Sequence, residues 1–107
     1  MTFDELEAGF AYSDAFIDFP EYFSEDCQRI INEVHRKWDS LKEDYLSIEN
    51  AISHKLFTDE EIKKYALWKA AVCYSENNNF NSSLRRKYFD QIVNKFTRYY
   101  LALGRGV

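Results

Sequence analysis

The sequence predicts an all-α fold, a small helical bundle of three main helices plus a short N-terminal helix. Three observations carry that reading. The 107 residues include three Gly and one Pro, and neither type occurs from residue 21 to residue 103. A β-sandwich or barrel needs turn residues about every 8–12 positions, so this chain cannot supply them. Apolar residues also recur at helical spacing along most of the length. Finally, a hydrophobic share of 46% beside 30% charged residues belongs to a globular domain, not to a disordered tail or a membrane protein. The length suits one domain, read as an N-terminal helix and connector (1–20), a bundle (21–103) and a short tail (104–107).

The first element is a helix over residues 2–12. Thr2 and Glu5 form a capping box and Phe3, Leu6 and Phe10 share one face, although Gly9 weakens it. The connector 13–20 carries Phe16, Ile17 and Phe19 between Asp14 and Asp18. Pro20 suits a first helical position, and Ser24 suits a cap. Then Cys27, Ile31, Val34, Trp38, Leu41, Tyr45, Ile48 and Ile52 follow one another at spacings of 4 and 3 in strict alternation. Such a stripe predicts a helix over residues 24–53, roughly 45 Å long, with a bend or break near 47–50 where propensity falls. The flanks, Gln28, His35, Lys42 and Glu49 on one side with Ile30, Lys37, Asp44 and Ala51 on the other, suit a bundle seam better than an isolated zipper.

Thr58 and Glu61 form a second capping box, opening a helix that runs to about residue 75. Its middle, residues 65–74, is apolar almost all round, so this helix is expected at the centre of the domain or under a partner. Glu76 and three asparagines make the next turn, and Ser82 or Ser83 caps the last helix. Phe89, Ile92, Phe96, Tyr99 and Leu103 are its expected apolar stripe, with Gly104 as a left-handed stop.

Charge is divided along the chain. Residues 1–61 hold 16 of the 18 acids against five bases, a balance of −11, whereas residues 62–107 hold two acids against nine bases, a balance of +7. Arg85, Arg86 and Lys87 stand in the first turn of the last helix, where the macrodipole disfavours cations, so an anionic neighbour is expected there. That neighbour is either an acidic helix of the same subunit or the opposite pole of another molecule, in which case copies join head to tail. Nucleic acid is the weakest candidate, because the net charge is −4 and the pI about 5.2.

No catalytic, cofactor or metal site is read from the sequence. Met1 to Glu5 lacks the basic start of a secretory signal, and no apolar run approaches a membrane span, so an unsecreted protein is expected, in a host cytoplasm or a virion. The glycosylation pattern Asn81-Ser82-Ser83 is then better explained as a cap. Cys27 and Cys73 fall in apolar stretches and are expected as buried free thiols. His35 and His54 have no second ligand a turn away, and His35 is expected on the helix flank. Arg29 and His35 resemble the Arg-x(4–6)-His pattern of HEPN ribonucleases. However, Ile30 stands where those enzymes carry a polar residue, and no ribonuclease is read.

Several stretches together carry a resemblance. Phe19-Pro20-Glu21-Tyr22 precedes a helix containing Ile30-Ile31-Asn32-Glu33-Val34. Tyr65-Ala66-Leu67-Trp68-Lys69-Ala70-Ala71, an asparagine loop ending at Asn81, and a last helix with Tyr88-Phe89 and Phe96 complete it. This layout resembles head–tail adaptor (connector) subunits of tailed bacteriophages, which implies a ring of identical subunits between portal and tail proteins, without catalysis. The alternative expectation is an acidic immunity or antitoxin protein that blocks a basic nuclease toxin. Its contact would use Phe10, Tyr12, Phe16 and Phe19 among Asp14 and Asp18.

Overall fold

The computed structural model describes Ala15, residues 18–76 and residues 82–106. A 3-10 turn, Pro20–Tyr22, leads into α1 (Glu25–Leu41); α2 (Ile48–Ser53), α3 (Asp59–Glu76) and α4 (Ser82–Arg105) follow, and no strand occurs among the described residues. The all-α bundle is therefore as expected. The expected N-terminal helix, its capping box and the asparagine loop lie outside the described residues, and α2 is the short element within them.

Local chemistry explains each start. Ser24 Oγ accepts from Cys27 N at 3.2 Å and Glu25 and Asp26 fill the first turn, which suits the positive end of α1. Ser47 Oγ accepts from Asn50 N at 3.1 Å to open α2. At α3 the capping box is reciprocal, with Thr58 N donating to Glu61 Oε1 at 2.8 Å and Glu61 N donating to Thr58 Oγ1 at 3.2 Å.

The long helix expected over residues 24–53 is two helices. The chain leaves α1 at Leu41, turns through residues 42–47 with Asp44 N donating to Leu41 O, and restarts at the Ser47 cap. The break thus comes a turn before the expected one. The apolar stripe survives it, because α2 folds back against α4 and buries Ile48 and Ile52 in the same core as Cys27, Ile31 and Val34.

α3 is central, as its all-round apolar middle predicts. It packs along α4 over most of its length and against α1, and it buries Ile62, Tyr65, Ala66, Leu67, Trp68, Ala70, Ala71 and Tyr74. α3 and α4 are antiparallel: Asp59 at the start of α3 faces Arg105 at the end of α4, and Cys73 Sγ lies 3.4 Å from Tyr88 Oη at the other end. Cys27 is buried, Cys73 half-buried, and neither forms a disulfide.

Two expectations about α4 shift by a residue or two. The face turned to the core carries the expected Phe89, Ile92, Phe96 and Leu103 together with Val93 and Tyr100, so Tyr100 is buried while Tyr99 is 55% exposed. Gly104 remains helical and packs against α3, where an added Cβ would lie 2.7 Å from Ile62 Cδ1; the left-handed residue is Gly106, at φ +74°. Gly104 serves close approach, and Gly106 ends the helix.

Candidate functional site

The two charged halves of the chain meet within the fold. Arg86 donates to Glu21, and its guanidinium lies over the Phe19 ring, 5.3 Å from the centroid. The bond from Arg86 holds the Glu21 carboxyl below its ordinary range. Arg85 reaches Asp18 at 3.9 Å, and Tyr74 Oη donates to the same carboxylate. Tyr22 Oη donates to Asp90; burial first, then that hydrogen bond, pushes the phenol up to about 12. Beneath these contacts Phe19 stacks on Phe89 with centroids 4.8 Å apart, and Tyr22 and Tyr74 meet Phe89 edge-on.

These contacts correct part of the expected interaction set. The anionic neighbours of the 85–87 cluster include the chain's own Asp18 and Glu21, so Arg85 and Arg86 clamp the segment before α1 onto α4. Asp18 belongs to the same clamp. Phe19 is buried in the core and is no surface anchor. Phe10, Tyr12, Asp14 and Phe16 lie outside the described residues. Lys87 is exposed and is the member of the cluster that takes part in no ion pair among the described residues.

A second set of charges remains directed at solvent. Leu84, Gln91, Lys95 and Arg98 line the side of α4 away from α3, with Lys87, Tyr88 and Tyr99 at its edges, and Tyr88 reaches across to Cys73 of α3. Lys87, Lys95 and Arg98 make no ion pair with any described residue, and no acid lies on that stripe. Leu84, Lys87, Tyr88 and Gln91 surround a shallow depression of about 320 Å³. At the other end of the bundle the turn between α1 and α2 exposes Glu43, Asp44 and Leu46, the last to 95%. Neither Glu43 nor Asp44 is paired with a described residue. Of these residues, Lys87 is an expected contact, and the others carry no such expectation from the sequence. The second stripe of α4 was visible in its spacing, whereas the turn was hidden inside an unbroken heptad pattern.

Among the described residues the candidate catalytic side chains are not brought together. His35 is only 2% exposed, with its ring edge-on to Trp68 at 4.6 Å, so it is a core residue and not the flank residue expected. Arg29 instead lies on the outer side of α1, where it pairs with Asp26 and Glu33. The two residues of the ribonuclease-like pattern therefore do not share a site. A depression of about 370 Å³ along α1 is lined by Glu25, Gln28, Arg29, Asn32 and Arg36, a set with no nucleophile–base pair among the described residues. Among the described residues no three His, Cys, Asp or Glu side chains gather as a metal-binding group, and no helix is long and apolar enough to cross a membrane. No protein-family model, curated protein or solved structure matches the chain.

Proposed function

We propose that the protein is a non-catalytic assembly subunit whose copies join head to tail, as subunits of a phage head–tail connector ring would. The observation that carries this reading is the charge left over after the internal pairs are counted. Arg85 and Arg86 are engaged by Asp18 and Glu21. Lys87, Lys95 and Arg98 on α4, and Glu43 and Asp44 in the α1–α2 turn, have no described partner. Separate surfaces of opposite sign on one molecule favour a heterologous contact, which closes into a ring when the rotation between copies allows it. The resemblance of the helical layout to adaptor subunits agrees with that geometry.

Light scattering on the wild type and on a Lys95→Glu, Arg98→Glu variant tests the proposal. The wild type is expected to show a mass that rises with concentration to a fixed multiple of the subunit. The variant, with both residues exposed and helicity unchanged by circular dichroism, is expected to stay near the subunit mass. A wild type that remains monomeric and binds one basic protein in a one-to-one complex contradicts the proposal in favour of an immunity protein.

A further inference from the structure

Among the described residues, three large apolar side chains are exposed: Leu46 at 95%, Leu84 at 49% and Tyr99 at 55%. A single exposed leucine needs no explanation. These three, however, fall on the two surfaces of unpaired charge, with Leu46 beside Glu43 and Asp44, and Leu84 and Tyr99 on the cationic side of α4.

Building on the assembly reading, we propose that Leu46 of one copy seats in the depression formed by Leu84, Lys87, Tyr88 and Gln91 of the next, with Glu43 and Asp44 against Lys87 and Lys95. The chemistry matches on both sides. An apolar knob flanked by carboxylates meets an apolar hollow of about 320 Å³ flanked by ammonium groups. Burial of the leucine supplies attraction, while the charges supply register and direction.

The contact cannot form inside one subunit. Lys37 Nζ near the end of α1 reaches Glu61 Oε1 at 3.0 Å, Arg105 reaches Asp59, and Lys55 Nζ donates to the Gly104 carbonyl at 3.4 Å. The α1–α2 turn therefore lies beside the start of α3 and the end of α4. Leu84 stands at the opposite end of α4, about 30 Å away at 1.5 Å per residue. A second copy is thus the occupant that the chain itself provides. One knob and one hollow make a small interface, weak as an isolated pair and strengthened when a ring closes.

Complementary surface variants test this by sedimentation velocity at low salt. Leu46→Asp removes the knob and keeps the hollow, whereas Leu84→Asp with Lys87→Glu removes the hollow and keeps the knob. Each variant alone is expected to lose association by at least about tenfold. Mixed, they are expected to form a one-to-one dimer that grows no further, since only one knob and one hollow remain. Leu46→Ser, which adds no charge, must give the same loss, and circular dichroism must show native helicity throughout. Wild-type association that survives either variant overturns this contact while leaving assembly through other surfaces intact. A wild type that is monomeric at every concentration overturns both this contact and the assembly reading, and leaves the hollow to a different protein.

Discussion

Glu61 shows how much one side chain does in this fold. Its carboxylate accepts from Thr58 N at the start of α3 and from Lys37 Nζ on α1, so it caps one helix and ties it to another. Burial pushes the Glu61 carboxyl up, but the Thr58 N–H and the Lys37 ammonium outweigh burial and hold it below 4.5. A carboxyl lowered on folding stabilises the fold above its unfolded pKa, and that stability is lost as pH falls through the folded value. Glu61→Gln keeps the capping bond through its amide oxygen but removes the charge that Lys37 meets, so it is expected to cost up to about 1 kcal/mol at pH 7. The difference from wild type should shrink as pH falls below about 4.5 in urea titrations. The caps at Ser24 and Thr58 were legible in the sequence because they need only neighbouring residues. The burial of Tyr100 over Tyr99 was not, because the two are chemically identical and differ by 100° around α4. Only the position of α3 decides between them. His35 is hidden for a related reason: it adjoins Val34 in the apolar stripe, and the α1–α3 contact extends that far.

At the scale of elements, the apolar pattern located the core but not the course of the chain. Ile48 and Ile52 continue the heptad spacing of α1 and are buried as that spacing predicts, yet they sit on α2. Residues 42–47 contain neither Gly nor Pro, so nothing in the composition marks the turn. It is fixed by the Ser47 cap, which satisfies Asn50 N, and by the gain from folding α2 back over α4. α3, by contrast, was legible as central because it has no polar face to turn to water. Its alanines are packing choices, since Ala66, Ala70 and Ala71 are all 0% exposed. Ala70→Leu is expected to cost about 1–3 kcal/mol in a thermal or urea melt by overpacking, although the intrinsic helix propensities of the two residues barely differ. A near-neutral result would mean that α3 has room its neighbours do not fill.

For the whole molecule, the division of charge along the chain has two consequences that the sequence could not separate. Part of it is internal, where Arg85, Arg86 and Arg105 of the basic half meet Asp18, Glu21 and Asp59 of the acidic half. Exposed pairs of this kind contribute little stability, so they orient the segments more than they stabilise them. The remainder faces outward as a cationic side of α4 and an acidic turn between α1 and α2, and which residues belong to which part depends on helix rotation and chain reversal. Attraction between such surfaces acts over about 30 Å at 0.01 M ionic strength and about 3 Å at 1 M. The most direct test is therefore the sedimentation coefficient of the unaltered protein, at one high concentration, across that range of salt. Assembly through opposite charges predicts a large species at low salt that dissociates to the subunit as salt rises. A single subunit-sized boundary at every salt concentration, or association that grows with salt, would contradict it.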